Sequence, residues 1–282
     1  MKNWLLALLV AVVAVVGGLM LWRSADLLAQ PSSLPRTPEG QPNLNGIWQT
    51  LTTASWDIQD HSAQVGVPAG QGVVEGNEIP YQPWAVARKL ENFKNRRLAD
   101  FVESRGYLPG LPRVMYMPFP LQIAQTPKYI GILSEYSRTT RIIYTDGSKH
   151  PEGPIEFWMG DSRGRWEGDT LVVDAIHFNN QTWFDKAGNF HSEALHLVER
   201  FTLKGPDHIT YEVTVEDPKV FTRPWKMSMP LYRRKEPNIR LLEYDHGMLQ
   251  QQECLASPEV RNYWCGDRKE FEVPTPAAPP AP

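Results

Sequence analysis

The chain has 282 residues and a formal net charge of −3, enough length to bury a core as a single domain. The mildly acidic balance without a basic face speaks against a nucleic-acid partner. Twenty-five prolines and ten tryptophans with 22% charged residues point to short strands joined by rigid turns, not to a helical bundle.

In chain order, the first feature is an apolar run from Trp4 to Trp22, between Lys2 and Arg23. It is just long enough to cross a bilayer and carries a tryptophan at each end, where membrane-interface aromatics belong. Gly17 and Gly18 weaken it as a helix, and Ala29 in LLAQP offers a cleavage point. Residues 1–29 therefore read as a signal peptide or as an N-terminal membrane anchor. Either reading exports the rest to the periplasm or cell envelope. Residues 30–43 form a proline-rich tether and 273–282 a similar tail, neither apolar enough to fold, which leaves 44–272 as one domain.

NLNGIWQTLTT opens that domain as a strand. A short helix follows in QPWAVARKLENFKNRRLADFV. Pro83 suits its first turn, and Trp84, Ala87, Leu90, Lys94, Leu98 and Phe101 follow one face with a single polar lapse. The helix and the proline-rich YLPGLPRVMYMPFP after it are expected to pack on the sheet. LQIAQ, KYIGILSEY, RIIYT, IEFWM, TLVVDAIHF, SEALHLVERFTL, HITYEVTVED, PWKMSMPLYRR and NIRLLEYD then read as strands, with turns at DGSKHPEGP and RWEGD. Strands at this spacing predict a mainly β, antiparallel sandwich or barrel with long proline-rich loops.

Alternation places Ile209, Tyr211, Val213 and Val215 on one face of their strand. In the strand before it, Leu195, Leu197, Phe201 and Leu203 share a face with Glu199 among them. A glutamate in an apolar stripe has a raised pKa, as a general acid needs, unless it is paired with an arginine across the barrel.

GDSRG fits G-x-S-x-G, but strand and turn residues follow Ser162 where a nucleophile elbow needs a helix. Glu167 and Asp169 flank Gly168 in RWEGDT and read as a tight hairpin, not as an acid pair. HFNNQTWFDKAGNFHSEALH, residues 177 to 196, holds three histidines. His191 and His196 differ by an odd number and face opposite sides of a strand, so no three-histidine metal set is expected. If the connection 178–192 folds over a barrel mouth, it brings His177, Asp185 and His191 above an inward Glu199, with Trp183 as an apolar wall. Histidine beside a carboxylate suits proton transfer near neutral pH. The other reading is that these polar groups satisfy one another and cap a long loop. Cys254 and Cys265 lie close together in the exported part and are expected to form a disulfide.

The run MGDSRGRWEGDTLVVDAIHFNNQTWFDKAGNFHSEALHLVERF, with EDPKVFTRPW after it, resembles a large family of exported, functionally uncharacterised bacterial proteins. That family shows the pattern GDSxGxWEGDTLVVDTxxFNxxTWxDxxGxxHSExLHxxERF. PWAVARK, RIIYTDGSKHP and PWKMSM extend the match over most of residues 44 to 245. The resemblance implies export and supplies no activity. The family carries a cysteine at the start of the segment seen here as YLPGLPR and another after EY in EYDH. Tyr107 and His246 stand there in this chain, which fits loss of that bridge. GIW also resembles the Gly-x-Trp of lipocalin-like barrels, in which an arginine of the last strand packs over the tryptophan; Arg240 is the expected partner of Trp48.

The sequence thus predicts an antiparallel, lipocalin-like β-barrel holding an apolar or aromatic small molecule, without cofactor or metal. His177, Asp185, His191 and Glu199 are its candidate acid/base residues, and Arg141, Trp166, Asn179 and Trp183 its candidate lining. Membrane contact is expected only through the N-terminal segment. The alternative is a non-catalytic, membrane-tethered envelope scaffold that docks a partner.

Overall fold

The computed structural model describes residues 34–64 and 67–245. The run 4–22, His246, Cys254, Cys265 and the proline-rich tail lie outside the described residues. Among the described residues, nine strands close into one barrel in sequence order. They are β1 (Gly46–Gln49), β2 (Leu121–Gln125), β3 (Tyr129–Ser134), β4 (Thr140–Tyr144) and β5 (Asp161–Glu167), then β6 (Thr170–Ile176), β7 (His196–Gly205), β8 (His208–Glu216) and β9 (Trp225–Arg233). β9 pairs back onto β1 through Trp48 with Arg233 and Gln49 with Tyr232.

The expectation of a wholly antiparallel sheet is corrected at one place. β4 and β5 run parallel, through Ile143 with Ser162 and Tyr144 with Arg163. The reason is a strand that does not form. In IEFWM only Phe157 makes a bridge, to Phe178, so no reversed strand stands between β4 and β5. Residues 145–160 instead carry the chain back to its starting end. NIRLLEYD likewise forms no strand, and only Tyr244 bridges, to Tyr136.

Inward rows follow the alternation. Leu197, Glu199, Phe201 and Leu203 of β7 oppose Val215, Val213, Tyr211 and Ile209 of β8, none more than 2% exposed. Each fully buried apolar side chain of this size contributes about 1.5–3 kcal/mol. Gly168, at φ 59°, makes the β5–β6 hairpin. Residues 35–43, read as tether, lie against the domain, where Arg36 pairs with Asp169 of that hairpin at 2.8 Å.

The arginine over Trp48 is Arg233, not Arg240. β9 ends at Arg233, whose guanidinium carbon stands 4.2 Å from the Trp48 ring centre. The same guanidinium donates to the carbonyls of Asn45 and Pro206 at 2.6 and 2.7 Å. Gly46, at φ +140° where a side chain is strained, leaves room for the guanidinium, since a Cβ on it would lie 2.1 Å from Arg233 Nη1.

Two helices, α1 (Pro83–Ala99) and α2 (Phe101–Arg105), lie between β1 and β2. The face of α1 turned to the domain is Ala85 and Asn92. Asn92 Nδ2 donates to the carbonyl of Gly188 at 3.2 Å. A Cβ on Gly188, at φ +85°, would fall 2.7 Å from both Lys89 O and Phe93 N. Small residues on both sides permit this approach. The apolar face read from the sequence therefore points outward, with Trp84, Leu90 and Leu98 exposed by 42, 55 and 56%.

Candidate functional site

The connection between β6 and β7 packs against one end of the barrel and closes it. Its fully buried Phe184 packs edge-on against the inward Trp225 of β9, ring centres 5.7 Å apart. Tyr116 O–H donates to the Phe184 carbonyl at 2.8 Å.

The four residues expected to share acid/base work sit in four separate networks. His177, half-buried and at φ 63°, donates from Nε2 to the Pro151 carbonyl at 3.0 Å. Asp185 accepts from the backbone N–H of Ile58 at 2.9 Å and of Asn189 at 3.1 Å, and from the Asn189 side chain. Complete burial, with Asp57 nearby, pushes its carboxyl up to about 7 against the pull of those donors. His191 is buried. Its Nδ1–H donates to the Ser192 carbonyl at 2.8 Å, which leaves Nε2 to accept from Thr182 O–H at 2.8 Å. Burial holds its pKa below the usual value, so the ring stays neutral.

Glu199 has the partner that the alternative reading asked for. Arg141 reaches across the barrel and grips both carboxylate oxygens, Nη1 to Oε1 at 3.0 Å and Nη2 to Oε2. Arg141 also donates from Nε and Nη2 to Ser162 Oγ at 3.1 and 2.9 Å, and Tyr211 O–H donates to Glu199 Oε1 at 2.7 Å. None of these four side chains is more than 3% exposed. Side chains thus occupy the axis where a ligand was expected, and Arg141 lines no open pocket. Ser162 lies within β5, bonded to an arginine, with no nucleophile elbow around it.

The other expected lining residues are dispersed. Trp166 ends the inward row of β5, opposite Leu171, at the barrel end away from the β6–β7 connection. Asn179 Oδ1 caps a local turn by accepting from Gln181 N–H at 3.1 Å. Trp183 is buried and bridges Phe190 within the connection.

A different set of titratable groups is assembled on the outer face, where alternate positions of β5 to β8 project. His150, in the β4–β5 connection, places Nδ1 2.6 Å from Asp161 Oδ1 and Nε2 2.9 Å from Asp174 Oδ1. The other oxygen of Asp174 lies 2.9 Å from His196 Nε2, and His196 Nδ1 lies 3.2 Å from Glu216 Oε2. The result is one line of carboxylate, imidazole, carboxylate, imidazole, carboxylate. Partial burial lowers the His196 pKa, but the hydrogen bond and charge of Asp174, then those of Glu216, outweigh it and raise the value. Burial likewise raises that of Asp174, and the two histidines bring it below the usual carboxylate range.

The line runs beside two clefts. His196 and His177 stand in the wall of a cleft of about 290 Å³, with Ile155, Ile176, Phe178 and Ala194. His150 and Asp174 border a second cleft, of about 460 Å³, with Lys149, Arg163 and Arg165.

Comparison of the chain with family models, with curated proteins and with solved structures gives no match.

No group of three or more His, Cys, Asp or Glu among the described residues is arranged to hold a metal ion. The line can instead accept or release a proton at His196, with Asp174 orienting the ring and stabilising its charged form. Strand parity carried a signal for it: His196 and Asp174 sit between inward neighbours in SEALHLV and LVVDAI, so both project outward. His150 carried none, because a turn brings it to β6 from 24 residues away.

Proposed function

We propose that this chain is an exported, lipocalin-like barrel protein that binds a small molecule with an apolar or aromatic body in the 290 Å³ cleft. The histidine–carboxylate line beside the cleft then moves a proton on that molecule, in a hydration, isomerisation or hydrolysis. One observation carries the reading: His196, a cleft-wall residue, is held by Asp174 at 2.9 Å and retains access to solvent. Its other nitrogen, Nδ1, meets the exposed Glu216 carboxylate at 3.2 Å, a surface partner that a ligand can displace to reach an imidazole already oriented for acid/base work. Ile155, Ile176 and Phe178 supply the apolar wall that small-molecule sites use. The left-handed backbone of His177 adds support, since strained non-glycine residues gather at binding sites.

Export rests on the apolar N-terminal run and on the resemblance of residues 159–201 to the exported family. The lipocalin-like likeness rests on Gly46, Trp48 and the covering Arg233. No cofactor or metal enters this reading.

A panel of small aromatic esters, enols and unsaturated acids, followed by saturation-transfer NMR, tests binding. Hits should be lost in Ala194→Trp, which fills the cleft. Turnover of a hit should fall at least about a hundredfold in His196→Gln, the usual contribution of a general acid or base, and stay unchanged in Glu167→Gln. Equal turnover in His196→Gln and wild type would sink the catalytic part.

The filled barrel axis also favours a second reading, a non-catalytic envelope scaffold held at the membrane.

A further inference from the structure

The outward side chains of the barrel divide by charge. On β5, β7 and β8 they include Arg163, Arg165, Arg200, Glu212 and Glu216. On β3 and β4 the outward row is Tyr129, Gly131 and Leu133, opposite Tyr144, Ile142 and Thr140, with no charge among them. Ala124 of β2 continues the patch beside Gly131. Tyr129, Leu133, Ile142 and Tyr144 are exposed by 47, 37, 38 and 40%. Where one face of an antiparallel sheet meets water, that face is ordinarily polar. A contiguous apolar patch in its place marks a surface that something covers. Arg163 borders the patch, its guanidinium carbon 4.5 Å from the Tyr144 ring centre.

The described chain ends beside this patch. Residues 135–139 turn the chain from β3 into β4. Tyr136 in that turn bridges Tyr244, and Phe119 packs on Tyr244 with ring centres 4.8 Å apart. Leu242 N–H donates to the Glu135 carboxylate at 2.9 Å, and Arg138 pairs with Asp245 at 2.5 Å. Residue 246 therefore starts at one end of the β3–β4 face.

We infer that the segment 246–265 folds back over the outward face of β3 and β4 and covers it. Position, length and composition select this occupant. The bridge between Tyr136 and Tyr244 is parallel, so Tyr244 runs with β3 toward the turn, and Gly247 stands where the chain reverses, a place that glycine's conformational freedom serves. From Leu133 back to Tyr129 the patch is four residue steps long, about 14 Å, a span that a few extended residues cross. Met248, Leu249, Leu255, Val260, Tyr263 and Trp264 give the segment apolar side chains to match an uncharged face. Its only acids and bases besides His246 and the two cysteines are Glu253, Glu259, Arg261 and Tyr263, whereas 266–272 is mostly charged. The 290 Å³ cleft has no residue in this patch, so the covering segment is independent of the proposed ligand site.

The test places a photo-cross-linking side chain on the full chain, in Ile142→p-benzoylphenylalanine and, on the far side of the barrel, in Thr214→p-benzoylphenylalanine on β8. Thermal unfolding verifies that both proteins are folded. After irradiation at dilute concentration, peptide mapping by mass spectrometry locates the adduct. Ile142→p-benzoylphenylalanine should cross-link within its own chain to residues 246–265. A tether without docking would bring the segment to both positions at comparable effective concentration, so the yield at Thr214 should be at least about tenfold lower. Equal yields at the two positions would overturn the inference, and so would an Ile142 variant with no adduct in 246–265. An adduct joining two chains at Ile142 would assign the face to a second copy and equally overturn it.

Discussion

Arg141 and Glu199 are so well hidden that neither tolerates loss of the other. Truncating Glu199 strands a guanidinium in the barrel with only Ser162 as acceptor. Glu199→Ala should therefore lose about 3–5 kcal/mol in urea unfolding, while the apolar pair Arg141→Met/Glu199→Leu recovers most of it. A loss under about 1 kcal/mol in Glu199→Ala would show that the pair is not buried as described. Alternation alone exposed Glu199 as an anomaly, a charge in an apolar row. Its partner was not legible, because Arg141 stands 58 residues earlier on a strand that meets β7 only across the closed barrel.

The two buried loop acids and bases should leave opposite marks on stability against pH. Asp185, pushed up to about 7, keeps a proton when folded that the unfolded chain releases near pH 4. Stability should fall as pH rises through that window, by up to about 1.4 kcal/mol per pH unit, and Asp185→Asn should flatten the slope. His191 is depressed, so the unfolded chain takes up a proton below about pH 6.5 that the folded ring refuses. That term removes stability as pH falls, and His191→Gln should abolish it. His196, raised, adds stability below about pH 6.5 that is lost as pH climbs through its folded value. Urea midpoints from pH 4 to 8 for Asp185→Asn, His191→Gln and His196→Gln separate these terms; identical slopes in wild type and Asp185→Asn would contradict the first.

Among the elements, α1 shows what periodicity can and cannot tell. The spacing of Trp84, Leu90 and Leu98 revealed a helix and a real apolar face, but nothing in it says on which side the protein lies. Close contact decided that, through Ala85, Asn92 and Gly188. Leu90→Ser and Leu98→Ser should each change unfolding free energy by less than about 0.5 kcal/mol. Gly188→Ala, strained in the left-handed region and pressed against the helix backbone, should cost about 1–3 kcal/mol. The reverse ranking in thermal unfolding would place the apolar face inside. IEFWM misled for a similar reason: its alternation suits a strand, yet the backbone of Phe157 bonds to the chain just beyond β6, at His177 and Asn179. β5 was hidden because Ser162 and Gly164 interrupt its inward row.

For the whole molecule, the mainly β barrel was legible from eight of its nine strands, β5 being the one unread, and IEFWM, one of two expected strands that do not form, left β4 and β5 parallel. The candidate site was legible only in part. Parity pointed His196 and Asp174 outward, but the sequence drew attention to His191 and Asp185, whose polarity serves to plug the barrel. Chemistry on this fold belongs, in our account, to the outer wall, and the axis is structural. The most direct test is the mass of the full chain, purified from its own host's envelope, under native and then denaturing conditions, for wild type and Ala194→Trp. The account predicts a discrete organic increment on native wild type that Ala194→Trp loses. The same increment on both proteins, or none on wild type, would contradict it.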